Sequence, residues 1–544
     1  MATMKTPGVY IVEKSAFPNS VVEAPTAIPA FIGITEKALN GADSLSGKPW
    51  KITSMTEFQQ YFGGAPIPKF TLSVTDMPTD GSTDNTNDSA DNTSKPFYSI
   101  PSLDKKKILK VDRPKILYSL YYQMIMFFAN GGGTCYIVSI GTYENSESID
   151  KDNVGLALAA LEKEQEITMV VVPEAVSTLD YKDIQTQMLA HCGKMKNRFA
   201  IFDVQPKDGK EMNTIDQQIK AFRTNIGANF LSYGAVYYPW LNTSVLSDKD
   251  IDGTVLEWKS DSTLEDFFPK DSPFPNYFKG ILEQINPSEQ AAPQTPNDSP
   301  GKAAPQTPND SPEQATPLTP DERIAMKNDL HNALLQNFPG YQCIVKKVKD
   351  TLNLLPPSAA MAGLYTMIDN TRGVWKAPAN ISINYVNSPT ENIDNAIQED
   401  LNMPMNGKAV NAIRTFPGEG IKVWGARTLD GNSEDWRYVN VRRTMIFLEE
   451  SVKNAAKAYV FEPNVANTWM NVKSMIDNFL RSVWKRGGLA GATPEEAYEI
   501  HIGLGDTMTG NDILDGIMRI TVLVAITHPA EFIEITFQQQ MQKS

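Results

Sequence analysis

Three unbroken apolar runs, TMVVV at 168–172, FAIFDV at 199–204 and AVYY at 235–238, constrain this chain more than any other feature. They lack polar alternation, which suits strands buried on both faces, as in a parallel sheet. Before and between them lie segments with helical spacing at 155–162, 181–192 and 215–223, and Gly193 stands as a stop for the second. Strand and helix in alternation predict an α/β unit with helices covering the sheet. The pattern begins earlier, with a buried strand at 30–35 and a helix at 54–62. Ser54, with Glu57 three residues on, opens that helix and Gly63-Gly64 closes it. An apolar helix at 116–130 ends in three glycines, and a strand follows at 135–140.

Helical spacing returns at 321–336 and 358–369, and the segment GVWKAPAN follows at 373–380. The stretch 411–443, NAIRTFPGEGIKVWGARTLDGNSEDWRYVNVRR, then holds two strand-like runs at 421–424 and 436–441, the second also readable as an extended lead into a helix. Glycines and Asp430-Gly431-Asn432 supply the turns. Arg442 and Arg443 open a helix with Met445, Leu448, Val452 and Tyr459 on one face. On spacing alone this stretch is a packed core burying Trp424 and Trp436. From 467 to 486, Trp469, Val472, Ile476, Phe479, Leu480 and Val483 form an apolar face. Lys473, Asp477, Arg481 and Lys485 form a four-spaced polar stripe. Strand candidates follow at 498–504, 517–526 and 532–537, with Pro529 separating the last two.

Two stretches break the pattern. Residues 71–94 are dense in Asp, Asn, Ser and Thr and predict an exposed insertion. AAPQTPNDSP occurs at 291 and again at 303, and a decayed copy begins at 315. Proline at such intervals favours extended geometry and cannot bury a core, so this stretch is a spacer or a tolerated surface expansion without regular structure.

The 544 residues carry 64 acidic and 50 basic side chains, a formal charge of −14, which argues against a general nucleic-acid binder. Cys135, Cys192 and Cys343 form no disulfide framework and no CxxC pair, which fits folding in a reducing compartment. The N-terminal residues lack a signal-like apolar core, and no run approaches the ~18–20 apolar residues of a membrane span. The expectation is folding in the cytoplasm without membrane insertion.

No catalytic, cofactor or metal set emerges. Gly41 to Lys48 superficially resembles a phosphate loop, but the glycine spacing is one residue too long, and Pro49 stands where Ser or Thr is needed. His191, His331, His501 and His528 form no metal pair. His191 and Cys192 are helix neighbours pointing about 100° apart, which disfavours a dyad. A site assembled from acids distant in sequence stays open.

Several motifs, in order, resemble the contractile tail sheath family: TPGVYIVE, FIGITEKA, NGGGTCYIVSIG, GVWKAPAN, FPGEGIKVWGARTL and WRYVNVRR. This family includes the sheaths of phage tails, pyocins and extracellular contractile injection systems. The match covers both ends and breaks in the middle. The resemblance implies a mixed α/β (α+β) fold with a discontinuous core domain from both chain ends, an inserted α/β middle domain and a Pro-rich exposed insertion. The expected divisions are 1–35 (arm and core strand), 36–140 (with a polar insertion at 66–110), 141–345 (middle domain, with the repeat-bearing insertion at 241–322) and 346–544 (C-terminal core and connector strand).

The function implied is that of a structural subunit, not an enzyme, in a sheath that drives an inner tube through a target envelope by collective contraction. Its partners are further copies of itself in stacked hexameric rings, the tube protein, and baseplate and cap proteins. The resemblance assigns connector strands to Val9, Tyr10, Ile11 and Val12 at one end. At the other it assigns them to Phe532, Ile533, Glu534, Ile535, Thr536 and Phe537. It places a tube-facing role on the 467–486 helix, through Lys473, Arg481, Lys485 and Arg486. Two alternatives remain: an α/β enzyme with a deep polar pocket, and a baseplate component of the same machine.

Overall fold

The structure, a computed structural model, describes residues 21–77, 97–146, 149–207, 214–286 and 318–536. The chain forms two compact units. One comprises Met1–Gly64, Ser119–Asn242 and Leu355–Ser544, the other Ala65–Tyr118 and Thr243–Leu354.

The first unit is built on a nine-stranded sheet. In chain order its elements begin with β1 (Pro29–Thr35), β2 (Trp50–Ile52), α1 (Met55–Phe62), α2 (Leu120–Ala129) and β3 (Cys135–Thr142). They continue with α3 (Lys151–Leu161), β4 (Met169–Val171), α4 (Tyr181–Met195), β5 (Phe199–Asp203), α5 (Ile215–Asn225) and β6 (Gly234–Tyr238). Then come α6 (Ser358–Arg372), β7 (Ile381–Ser382), β8 (Asn411–Phe416) and β9 (Gly420–Val423). The order across the sheet is β7-β9-β8-β6-β5-β4-β1-β3-β2. The strands from β8 to β3 run parallel, and β2, β9 and β7 are antiparallel additions at the edges. Every residue of β1, β4, β5 and β6 is buried, which explains their unbroken apolar sequence.

Local chemistry fixes the helices. Ser54 Oγ accepts from Glu57 N at 3.3 Å to start α1, while Glu57 Oε2 reaches back to Thr53 N, one residue before the cap. Asp150 caps α3, and Thr214 with Gln217 forms a capping box on α5. Gly193 does not stop α4, which runs on to Met195 and turns out at left-handed Lys196. A Cβ at 193 would lie 2.2 Å from Phe230 Cγ, so the glycine makes room for that ring.

The C-terminal part of this unit adds α7 (Val439–Ala456), α8 (Ala466–Lys485) and a hairpin of β10 (Tyr498–His501) with β11 (Thr521–Val524). Phe447, Leu448, Val472, Ile476, Phe479, Leu480, Val483 and Ile500 share one core. Each large side chain buried there contributes about 1.5–3 kcal/mol. The stretch before α7 departs from expectation. Residues 436–438 form a turn with one bridge, Arg427 to Tyr438, and the helix begins at Val439. Trp424 is 39% exposed and Trp436 is half-buried, because both lie on the rim where the chain turns from sheet to helix.

In the second unit, Leu256–Trp258, Phe70–Asp76, Lys107–Asp112 and Tyr98–Pro101 form a four-stranded sheet in that order. Helices Phe274–Ile285, Pro320–Asn337 and Pro339–Leu352 complete it around Phe70, Leu72, Trp258, Phe278 and Tyr341. Residues 71–76, expected in an exposed polar insertion, are thus a sheet strand with Leu72 fully buried. Thr319 and Glu322, at the end of the repeats, form the capping box of the helix at Pro320, so regular structure resumes inside the decayed copy. Residues 78–96 and 287–317 lie outside the described residues. The unit boundaries also differ from the expected divisions. Residues 141–242 lie in the first unit, because their strands are the middle of its sheet.

Candidate functional site

In chain order the first five parallel strands are β1, β3, β4, β5 and β6, and they lie side by side as β3-β1-β4-β5-β6. This is the 2-1-3-4-5 order, whose ligand crevice lies at the carboxyl ends of the strands, where the winding reverses between β1 and β4. Here the chain fills that place itself. Glu174, just after β4, is buried and accepts from Ile34 N at 3.1 Å on β1. Its other oxygen accepts from Ser119 N at 2.6 Å and Leu120 N at 3.0 Å, at the N-terminus of α2. Burial pushes its carboxyl upward, and the three amides offset part of the rise. Asp203, at the end of β5, does the same for α6, accepting from Ser358 N at 2.8 Å. Burial raises its pKa to about 7.

The groups that matter lie instead around residues 21–28 and 527–531, near the two ends of the described chain. At the C-terminal end, Glu531 is clamped. Arg427, itself buried, donates from Nη2 to Glu531 Oε2 at 2.6 Å and from Nε to Oε1 at 3.0 Å. Asn402 Nδ2 donates to Oε1 at 2.8 Å and Tyr438 OH to Oε2 at 3.0 Å. Burial would raise the Glu531 pKa, but these donors outweigh it and hold the group below its ordinary value. Four residues earlier, Asn440 Nδ2 donates to Thr527 O at 3.1 Å, and Thr527 Oγ1 donates to Gly488 O at 3.1 Å. Past Glu531 the support stops. Phe532, Ile533 and Ile535 are exposed, and 532–536 run without a strand partner among the described residues.

At the N-terminal end, residues 21–28 lead into β1. Arg443 Nη2 donates to Thr26 O at 2.9 Å, and the same guanidinium holds the buried Asp369 at 2.6 and 3.0 Å. Ala24 N donates to Ser451 Oγ at 3.0 Å, and Glu23 pairs with Arg486. Arg442 points the other way and stacks on Tyr233 at 3.9 Å and Trp436 at 4.5 Å. Three arginines of one sequence stretch thus do three jobs. Arg427 holds the C-terminal root, Arg443 the N-terminal root, and Arg442 the loop before α7.

Of the expected site residues, Phe532, Ile533, Glu534, Ile535 and Thr536 are extended and exposed. Phe537 and Val9, Tyr10, Ile11 and Val12 lie outside the described residues. Lys473, Arg481, Lys485 and Arg486 are all exposed along or just past α8. Arg481 pairs with Asp477 at 3.5 Å and Arg486 with Glu23, while Lys473 and Lys485 have no ion pair among the described residues. The clamps themselves are not visible as spacing. Their only sequence signal is arginine set among apolar residues in an acidic chain.

The region holding α8, the hairpin and Glu531 is also where a known protein family matches this chain. Residues 432–540 match the phage tail sheath C-terminal domain. In that region the chain is similar to tail sheath proteins. It is 25% identical over 178 residues to the tail sheath protein of Vibrio phage KVP40, an alignment covering 32% of this chain. The aligned part spans 25% of that relative's own length. The fold agrees over nearly the whole chain with the helical sheath of the anti-feeding prophage in its contracted state. The TM-score is 0.56 at 24% identity, covering 99% of this chain and 100% of that one. A chain of the six-fold symmetrised baseplate of the same prophage gives 0.56 at 24%, again covering 99% and 100%. No described helix is long and apolar enough to cross a membrane.

Proposed function

We propose that this protein is the structural subunit of a contractile sheath. Copies stack in rings around an inner tube, are trapped in an extended lattice, and drive the tube when they relax to a compact one. The chemistry is interfacial, not catalytic, and each apolar Å² newly buried between copies contributes ~25 cal/mol. The six-fold symmetrised baseplate that the fold resembles supports six copies per ring and a baseplate partner. We place assembly in the bacterial cytoplasm, with a cap protein at the far end.

The observation that carries this reading is the C-terminal end. A clamped Glu531 is followed at once by an exposed, largely apolar and β-branched run, Phe532 to Thr536, with no strand partner among the described residues. Such a run is suited to adding a strand to a neighbour's sheet edge. The β10–β11 hairpin, two-stranded among the described residues, offers edges of this kind. Val9 to Val12 we assign to the same task at the other end. Backbone hydrogen bonds suit a connector, because they persist while the bodies they join rotate.

Electron microscopy of the purified full-length protein tests the function, with cylinders as the expected result. Deleting residues 532–544 or 1–13 should leave a folded subunit by circular dichroism yet abolish cylinders. Regular cylinders from either truncated protein would refute the connector role. Isolated globules from the intact protein at every concentration would refute the sheath.

A further inference from the structure

Beside the C-terminal root lies a cleft of about 420 Å³, large enough for two side chains. Arg372, Trp375, Lys376, Asn440, Arg486 and His528 contribute to its wall. The wall is built, not incidental. Trp375 is wedged so tightly that a Cβ on Gly373 or Gly488 would lie 2.4 or 2.9 Å from its ring, and Gly373 sits at φ +94. The Arg486 guanidinium lies 5.2 Å over that ring. Arg372 and Lys376 form no ion pair among the described residues. Asn440 donates to Trp375 O at 2.9 Å, but its buried Oδ1 has no hydrogen-bond partner among the described residues. The cleft thus offers cations and an aromatic face.

At the opposite end of α8 the chain presents the complement. The turn between α7 and α8 carries Val460, Phe461 and Glu462, all exposed, with Phe461 103% exposed. Phe461 also sits at φ +70, a conformation bulky residues avoid, so the local fold holds this ring outward against a backbone preference. The turn is rigid: Val460 N donates to Lys457 O at 3.3 Å, Glu462 N to Tyr459 O at 3.2 Å, and Asn464 is tied to Trp469 and to Ile517 O. An aromatic followed by a carboxylate faces solvent at one end of a 20-residue helix, and an aromatic and cationic cleft opens at its other end, ~30 Å away.

We propose that the Val460–Phe461–Glu462 turn of one copy seats in the Arg372–Trp375–Lys376 cleft of a second copy. The Phe461 ring lies against Trp375 and a guanidinium. The Glu462 carboxylate pairs with Arg372 and Lys376. Knob and cleft are different patches on one rigid body, so the contact is head-to-tail, and such contacts build rings or helical filaments instead of closed dimers. The proposal rests on the sheath reading for its supply of neighbouring copies, and it adds a side-chain contact to the strand-mediated ones.

The test uses full-length protein. In a Cys343→Ser background, Phe461→Cys with Ala530→Cys should give a ladder of covalent oligomers on non-reducing gels, and neither single variant should go beyond a dimer. Glu462→Arg should lower the yield of cylinders at least tenfold, and Arg372→Glu with Lys376→Glu should restore it. Thermal melts of each variant check that the subunit is folded. Normal cylinders from Glu462→Arg, with no ladder, overturn the knob-and-cleft contact and leave the sheath standing. Loss of cylinders in the cleft variants alone means that the cleft takes another segment, which also overturns it. A wild-type protein that never assembles overturns both readings.

Discussion

Glu531→Ala should release the C-terminal end while leaving the body of the subunit folded. The Arg427 side chain is 2% exposed and that of Glu531 20%, so the pair is screened little by solvent. Removing the carboxylate leaves a buried guanidinium whose remaining partners are the carbonyls of Asn402 and Gly431, both at 3.2 Å. Breaking a buried pair in this way costs about 3–5 kcal/mol. The cost falls on docking of the tail, because the Thr527 contacts are the next support along the chain. At 1.4 kcal/mol per power of ten, opening of the segment 528–536 becomes at least ~100-fold more frequent. Hydrogen exchange read peptide by peptide measures this directly, with faster exchange in 528–536 and unchanged exchange in β4, β5 and β6. Acid should mimic the mutation. Glu531 is held below its ordinary pKa, so it stabilises the docked tail fully above ~4.3 and loses that contribution as pH falls through the lowered value. Unaltered exchange in 528–536 for Glu531→Ala would show that the clamp does not hold the tail.

Arg443→Ala strands the buried Asp369 carboxylate and frees Thr26 O, so it should cost about 3–5 kcal/mol, read as a lower denaturation midpoint with a smaller cost for Arg442→Ala. Asp203 has a raised pKa, so the folded state holds its proton more tightly, and stability should fall as pH rises from ~3.9 to about 7. Asp203→Asn should remove a few kcal/mol of that slope (on the order of one per pH unit) in denaturation curves across this range, and an unchanged slope would refute the assignment. Reversing Lys473 and Lys485 to Glu should weaken co-sedimentation with tube protein more than reversing Arg481, which already has Asp477 as a partner, and added salt should weaken the wild-type contact. Equal co-sedimentation of all variants at low salt would remove the tube-facing role from α8.

The parallel sheet was legible because β4, β5 and β6 are buried on both faces and therefore carry no polar residue until their ends. α8 was legible for the converse reason, one face buried and the other exposed. The polar insertion was misread at 71–76, because a strand with one buried face, FTLSVTD, has the same serines and threonines as a loop. Gly193 was misread because a glycine that admits a neighbouring ring looks in sequence like one that ends a helix. Trp424 and Trp436 were misread because composition cannot tell a rim from a core. The clamps were illegible altogether: Arg427 and Glu531 lie 104 residues apart, and no local rule joins them. The motif GARTL reads as a turn, yet the structure uses its arginine as a bolt.

The same logic separates this fold from the enzymes that share its strand order. A doubly wound sheet exposes helix N-termini at the carboxyl ends of its strands, and those amides bind anionic ligands readily. In this chain Glu174 and Asp203 occupy two such positions from within, each buried by the chain. A carboxylate supplied by the chain is always present, so the sheet is complete without a ligand and stiffened where an enzyme would need to open. The open features lie elsewhere: residues 532–536 beyond the Arg427 clamp, the cleft at Trp375 and the Phe461 turn. The buried carboxylates thus satisfy the carboxyl ends of this sheet from within the first unit.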